Sequence, residues 1–443
     1  MTIEKAIDYV YASYLKAEPY LDYEASDAEK RNPKLTKAII EKRAGLPTVL
    51  VTGSKGKGSV AKMIAEIMGV HCKVGLMTSP HILSFNERIQ IQGEPVCDEV
   101  LAMAIEGVKP EFDVVEAKLA PQEYISPMGI QTAAALDIFR AAGAAFQVME
   151  CGKGVAYDDV NNVPHKYAVI NHIFLEHTRE LGKTLEEIAE NKSAIITGEQ
   201  RAVFIGKQAP EVLKILRDRA EEYHTPLYEY DRDFRCENIR YTERGMCFDV
   251  VTPKTRYADI QIPLLGTYQA ENCALAIALC ETEMGVLDEA KVKQALQGLE
   301  WPGRLEVLSS NPLMLLDACV NRESCQHVLE ALKQLGAKKV TTIIGIPSDK
   351  DYFGVAVKMA EVSEHMILTQ SGNVHYKFGP EQAEKLAEYG IHADWAESIN
   401  EALDQARAVI ASKNAWDRPI CILGTTSLIS DVKALAAIPM PLE

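Results

Sequence analysis

The ten cysteines of this 443-residue chain include no C-x-x-C pair, a scatter that suits reduced thiols better than a disulfide frame or a zinc site. None is read as catalytic. No stretch reaches the ~18 consecutive apolar residues of a membrane span. The N-terminal MTIEKAIDYVYASYL mixes acids with apolar residues instead of setting a basic region before an apolar core, so neither a signal peptide nor an anchor is expected there. A basic excess is missing too. With 47 lysines and arginines against 63 acids the net charge is -16, which argues against broad nucleic-acid or anionic-membrane binding. Any phosphate site must be local. Tandem repeats and low-complexity tracts are absent as well. The remainder, 47% apolar and 25% charged, is ordinary globular composition, and the length predicts about two or three domains. A cytoplasmic protein is expected, with the oligomeric state open and a monomer favoured.

The chain is organised around Pro47 to Ser59, PTVLVTGSKGKGS. Val49, Leu50 and Val51 predict a strand, the glycine, serine and lysine positions a loop, and the pattern from Ser59 a helix. Gly53, Gly56 and Gly58 allow positive φ and close approach to a ligand, so that backbone N–H groups and a helix N-terminus can converge on one anion. Lys57 then reaches the outer phosphates and Ser59 offers a hydroxyl to magnesium. The rival reading is a glycine-rich turn that binds nothing.

Residues 1–46 read as helical, and a second strand is predicted over Val74 to Thr78. It leads into SPHILSFNERIQIQGEPV (79–96), which fits neither the helical nor the strand period, the kind of long irregular stretch that is functional or mobile. Helices are predicted over Cys97 to Val108 and Gln131 to Ala142, and strands over Phe146 to Glu150 and Tyr167 to Asn171. Strands alternating with helices imply a parallel sheet whose ligands gather at the carboxyl ends of its strands. Ser59, Glu150 and His177 would all reach that edge. Thr184 to Glu187 forms a capping box, and Lys192, four residues after Ile188, falls on the apolar stripe of the helix it opens. Desolvation there would favour the neutral amine; the rival is a lysine whose head snorkels to water. Phe234 to Pro263 alternates with period two and predicts antiparallel strands. Trp301-Pro302-Gly303-Arg304 marks a linker, after which strands at Met314–Leu316, Val340–Ile344, Met366–Thr369 and Ile420–Leu423 begin a second alternation. The expected architecture is α/β: a phosphate-loop, parallel-sheet ATPase domain with a small antiparallel sub-layer over 1–298, then a smaller Rossmann-like α/β domain over 299–443.

Taken together, GSKGKGS (53–59), the 79–96 stretch, Glu150-Cys151-Gly152, LEHTRELG (175–182), Glu187 to Ile196, YQAENCALA (268–276), WPGRLEV (301–307), LDACVNRES (316–324), SDKD (348–351) and Gly424 to Leu428 resemble the folylpolyglutamate synthase and dihydrofolate synthase family of the Mur ligase superfamily. The resemblance implies an ATP-dependent ligase that moves the γ-phosphoryl group onto a carboxylate and lets an amine displace phosphate, with catalysis mainly by positioning and by cations. It implies Gly53, Ser54, Lys55, Gly56, Lys57 and Gly58 around the phosphates, and Ser59 and Glu150 on a first magnesium. It further implies His177 on a second magnesium, Lys192 as a carbamate, Gln269 and Asn272 on the nucleotide, Arg304 on a phosphate across a cleft closed by two domains, and Asp317 near the ribose. The partners implied are a small-molecule acid and an amine. Bland readings stand beside these: Glu150 in a surface ion pair, His177 merely hydrogen-bonded, Asn272 facing solvent, Asp317 as a helix cap.

The chain departs from the family pattern in its substrate half. Ser54-Lys55 replaces Thr-Asn, adding a charge that would touch phosphate or compensate for an arginine absent from Lys153–Asp158. Ile130-Gln131 stands for a Phe-Glu pair, Glu176 for an aspartate, and Val320 for a histidine. That asymmetry favours a ligase whose acid is not restricted to folate. The alternatives are a true folate ligase with a divergent pocket, or a catalytically silent nucleotide-binding paralogue acting through a partner.

Overall fold

The computed structural model describes residues 1–242, 245–373, 378–412 and 418–436. The chain divides into two compact units, one of 1–237, 248–260 and 271–299, the other of 238–247, 261–270 and the residues from Glu300 onward. The second unit thus draws in two segments that the sequence assigns to the first domain.

The first unit is built on an eight-stranded sheet. Its strands are β1 (Thr48–Thr52), β2 (Val74–Met77), β3 (Ile89–Ile91), β4 (Glu94–Pro95), β5 (Phe146–Glu150), β6 (Tyr167–Ile170), β7 (Ala202–Ile205) and β8 (Leu227–Glu229), in the order β4-β3-β2-β5-β1-β6-β7-β8. The six from β2 to β8 in that order run parallel, and β3 and β4 add antiparallel pairings at one edge. β1 and β5 are buried at every position, as strands covered on both faces must be. Register decides the site. Val51 pairs with Glu150 and Val169, and Thr52 with Ile170, so three strands end flush where the glycine loop begins. β7 and β8 carry no motif and were not legible as strands.

β9 (Arg235–Thr242), β10 (Gly245–Val251) and β11 (Arg256–Ile262) form the expected separate three-stranded layer. The second unit carries β12 (Glu306–Ser310), β13 (Leu313–Asp317), β14 (Val340–Gly345), β15 (Ser363–Thr369), β16 (Asp394–Ala396) and β17 (Ile420–Gly424), ordered β12-β13-β17-β14-β15-β16. All pairings there are parallel except β12 with β13, the Rossmann-like alternation read from the sequence.

Several boundaries differ from expectation: the helix predicted to end at Val108 runs on to Glu116, and the one predicted to begin at Gln131 begins at Pro127. The helix after the loop runs Lys57–Gly69, beginning before Ser59, so Gly58 lies within its first turn and needs no positive φ. The helix carrying Lys192 spans Leu185–Ser193 and stops before Ile195 and Ile196, which are nevertheless buried in the core.

Candidate active site

Gly53 follows β1 with φ 142°. A Cβ at that position would stand 3.0 Å from the Asn171 side chain and 3.1 Å from its backbone, so glycine permits the close approach of loop and β6. Gly56, with φ 80°, caps the helix Lys57–Gly69, and a Cβ there would meet Asn171 Nδ2 at 2.4 Å and Asn272 Nδ2 at 3.0 Å. The two asparagines clamp the loop. Asn171 Nδ2 donates to the Lys55 carbonyl at 3.1 Å and to Asn272 Oδ1 at 2.7 Å.

Ser54 spends its groups on the chain after β6. Its N–H donates to the His172 carbonyl at 2.8 Å, its hydroxyl donates to the Phe174 carbonyl at 3.1 Å, and the Phe174 N–H donates back to the hydroxyl at 3.2 Å. Lys55 and Lys57 are half-buried, and Lys57 Nζ donates to the Gly53 carbonyl at 3.1 Å. The Ser59 hydroxyl is buried and makes no hydrogen bond with protein. A buried donor and acceptor left unpaired at a helix N-terminus fits a hydroxyl held ready for a ligand or metal ion.

Glu150 is 4% exposed, and its Oε2 accepts the Ser79 N–H at 2.9 Å. The surface ion-pair reading is therefore excluded. The 79–96 stretch has a defined hydrogen-bonded shape. The Glu87 carboxylate accepts the N–H groups of Ile82, Leu83 and Ser84 at 2.7, 2.9 and 2.8 Å, and so pins the loop from within. Arg88 donates to His81 Nδ1 at 2.9 Å and to Gln131 Oε1 at 3.1 Å. Burial, reinforced by Arg88, holds the His81 ring below its usual pKa.

Lys192 is fully buried. Its Nζ donates to the Gly53 carbonyl at 3.0 Å and the Lys153 carbonyl at 2.6 Å, and pairs with Glu176 Oε1 at 3.2 Å. Burial, with Lys57 nearby and against the pull of Glu176, pushes its pKa down to about 8. The snorkelling alternative is thereby ruled out. The expected capping box is present, Thr184 Oγ1 accepting the Glu187 N–H at 3.2 Å and Glu187 Oε2 accepting the Thr184 N–H at 3.2 Å.

His177 sits at the exposed rim in the left-handed region, φ 47°. Its Nε2 lies 3.8 Å from Glu176 Oε2, and partial desolvation by the surrounding chain holds its pKa below the usual value, against the pull of Glu176. Among the described residues no three His, Cys, Asp or Glu side chains gather as a metal-holding group. Magnesium does not require one, because it keeps waters and takes phosphate oxygens with one or two protein ligands. The Ser59 hydroxyl and the Glu150 carboxylate are oxygen donors of that kind, and His177 offers a neutral imidazole nitrogen on the chain after β6.

Gln269 and Asn272 lie one turn apart on the helix Thr267–Met284, both buried, so Asn272 does not face solvent. In the second unit Asp317 is 2% exposed; its Oδ2 accepts the Leu305 N–H at 2.8 Å and its Oδ1 has no partner. It is not a cap: Asn321 caps the following helix, accepting the Ser324 N–H at 2.8 Å. Arg304 Nη1 donates to the Gly303 carbonyl at 3.0 Å.

Two groups escaped sequence reading. Asn171 follows the end of β6, but asparagine after a strand carries no distinguishing pattern. Arg31 lies 3.6 Å from Asp27, 3.8 Å from Asp158 and 3.6 Å from Asp159, beside a cavity of about 510 Å³ that Ala156 and Tyr157 also line. It supplies a cation next to the segment lacking the family arginine, from a part of the chain with no motif.

The flush strand ends, the clamped glycine loop and the orphaned serine all lie in a stretch that matches a known family. Residues 51–280 match the Mur ligase middle domain, and residues 303–422 match the Mur ligase glutamate ligase domain. The chain belongs to the Mur ligase family. It is 29% identical over 389 residues to the folylpolyglutamate synthase of Lacticaseibacillus casei, covering 86% of this chain and 88% of that one. To the dihydrofolate synthase/folylpolyglutamate synthase of Bacillus subtilis it is 29% identical over 394 residues, covering 86% and 89%. Among solved structures, Mycobacterium tuberculosis folylpolyglutamate synthase complexed with ADP and AMPPCP superposes with a TM-score of 0.86 at 25% identity, covering 96% of this chain and 99% of that one. An FPGS–AMPPCP–folate complex gives 0.81 at 27% identity, covering 98% and 99%. This Mur ligase is an ATP-dependent, amide-bond-forming enzyme, and ligases of its kind use magnesium. These relatives are folylpolyglutamate and dihydrofolate synthases, so divergence in the substrate half is not by itself a sign of another acid. No helix among the described residues is long and apolar enough to cross a membrane.

Proposed function

We propose that this Mur ligase activates the carboxylate of a small acid as an acyl phosphate and joins it to an amino acid, with a folate-type acid as the first candidate. The observation that carries the reading is the fully buried Lys192 ammonium on the carbonyl of the first loop glycine, in a loop that follows β1 where its register partner Glu150 ends β5. A carboxylate oxygen attacks the γ-phosphorus, the bond to the bridging oxygen breaks, and ADP leaves with the electron pair. The amine then attacks the acyl carbon, phosphate leaves, and the amine proton passes to solvent.

Loop N–H groups, the helix N-terminus and Lys57 bind and orient the phosphates in this reading, with Gln269, Asn272, Arg304 and Asp317 as further nucleotide residues. Ser59 and Glu150 would hold magnesium, which supplies charge neutralisation on the transferring phosphoryl group. Lys192, neutral at modest alkalinity, accepts carbon dioxide as a carbamate. All ten cysteines are free thiols, which supports action in the cytoplasm, and we take the enzyme as a monomer.

A second reading, another acid in place of folate, draws on one observation. Gln131 is neutral and buried, its carbonyl accepting from Arg88 and one amide N–H donating to the Pro127 carbonyl at 3.1 Å, so it brings no carboxylate to a ligand. The test is phosphate release by purified enzyme with magnesium and ATP, supplied with tetrahydrofolate and glutamate in one arm and pooled acids and amino acids in the other. Release in the first arm supports the folate-type acid, and release in the second alone supports the other reading. Silence in both with normal ATP binding removes the ligase reading.

A further inference from the structure

Arg88 is held on three sides. Its Nε–H donates to His81 Nδ1 at 2.9 Å, Nη1 donates to Gln131 Oε1 at 3.1 Å, and the guanidinium lies 5.0 Å over the Phe85 ring. Gln131 is fixed in turn by the Pro127 carbonyl. A guanidinium remains protonated and can only donate, so His81 Nδ1 must be the acceptor. The imidazole is therefore neutral, with its hydrogen on Nε2. That N–H sits on the opposite edge of a half-buried ring and has no partner among the described residues.

The backbone fixes the loop that carries this donor. Two residues earlier the Ser79 N–H is on Glu150 Oε2, and the Thr78 N–H is on the Arg88 carbonyl at 2.9 Å. Both ends of the 79–88 loop are thus tied to the carboxyl edge of β2 and β5, one strand over from the glycine loop. A donor of this kind suits a reactant that is anionic before and after phosphorylation. It stabilises carboxylate oxygens without adding another mobile cation, and its tautomer cannot drift because Arg88 occupies the other nitrogen.

We propose that His81 is a substrate-binding residue whose Nε2–H hydrogen-bonds the acid substrate's carboxyl group and keeps that bond as the acyl phosphate forms. The inference rests on the ligase reading above and assigns the acid's reacting end to the 79–88 loop. His81 keeps its proton throughout; carboxylate attack on phosphorus consumes none.

The test is steady-state phosphate release with tetrahydrofolate and glutamate, or with the first screened acid that supports release, on the full-length wild type, His81→Leu and His81→Gln. ADP affinity and thermal unfolding are measured on all three. Leucine fills the space without a donor, and glutamine can accept from Arg88 while donating outward. The expected result is a KM for the acid raised at least tenfold in His81→Leu, unchanged ADP affinity, and recovery to within about threefold of wild type in His81→Gln. An unchanged acid KM in His81→Leu overturns the proposal, as does a His81→Gln no better than leucine, which would mean that the ring only packs on Phe85. Wild-type release that depends on the acid, beside an unaffected His81→Leu, sinks this inference alone. A wild type that releases nothing with any acid removes the ligase reading and this inference together.

Discussion

Lys192 Nζ and Lys57 Nζ donate to the same acceptor, the carbonyl of Gly53, at 3.0 and 3.1 Å. One ammonium is buried completely and the other only half. A helix some 130 residues downstream thus anchors the first turn of the phosphate loop, and the loop lysine borrows the same oxygen. Gly53 can turn its carbonyl inward because its φ of 142° is open to glycine.

Gly56→Ala should disrupt the loop more than the volume of one methyl suggests. The position has φ 80°, and the new Cβ would press on Asn171 Nδ2 and Asn272 Nδ2. A loss on the order of 1–2 kcal/mol in urea unfolding is expected from strain at a left-handed position, with ADP binding weakened at least tenfold. Adding Asn171→Ala removes one of the two clashes, so the double variant should bind ADP better than the sum of the single losses predicts. Strict additivity would show that the clamp does not couple to the loop.

Thr184→Ala should cost about 1 kcal/mol of stability, the usual worth of an N-cap. Glu187→Ala should cost more, because Glu187 also accepts the Lys183 N–H at 2.5 Å. Urea titrations of both variants at one pH check the ranking, and equal losses would mean that the second hydrogen bond contributes nothing.

Asp317→Asn separates an anchor from a ligand. Asparagine can still accept the Leu305 N–H, at a residue whose φ is 48°, so stability should stay within about 0.5 kcal/mol. ADP affinity should fall about tenfold if the buried, unpartnered Oδ1 serves the nucleotide. Asp317→Ala would leave the Leu305 N–H unsatisfied and should cost about 1–3 kcal/mol. Wild-type ADP affinity in Asp317→Asn would assign the carboxylate to the backbone alone.

Sequence reading reached the parts of the fold where local pattern and burial coincide. Val49 to Val51 is a continuous apolar run and Phe146 to Glu150 a largely apolar one interrupted by Gln147 and closed by an acid, and they became the central strands β1 and β5 because a parallel sheet covered on both faces demands buried strands. Lys192 was legible because a charge on an apolar helical stripe violates the pattern. Arg31 was not, since its meaning comes from Asp158 and Asp159, more than a hundred residues away. His81 and Arg88 lay inside a stretch with no period at all. There the order comes from Glu87 gathering the N–H groups of Ile82, Leu83 and Ser84, a local capping arrangement carried by the Ser84–Glu87 spacing, which a search for helical or strand period passes over. Asp317 invited reading as a helix cap from its place before a helix, but the cap fell to Asn321, whose side chain stands at the right offset from Ser324.

Lys192 should leave its mark on the pH dependence of stability. Its folded pKa is pushed down to about 8, whereas an unfolded lysine titrates near about 10.4. Between those values the unfolded chain binds more protons than the folded one, so stability rises with pH across that window. Below about pH 8 both states are protonated and the burial penalty is carried in full. Urea unfolding of wild type and Lys192→Met at pH 7.5, 8.5 and 9.5 should show the wild type gaining on the order of 1 kcal/mol relative to the variant over the upper two points. A pH-independent difference would mean that Glu176, 3.2 Å away, keeps the ammonium charged. The same titration bears on chemistry, since only the neutral amine captures carbon dioxide. Intact-protein mass spectrometry in bicarbonate buffer should show a carbamate on the wild type that grows from pH 7.5 to 8.5 and is absent from Lys192→Met, and stripping carbon dioxide should lower phosphate release by the wild type alone.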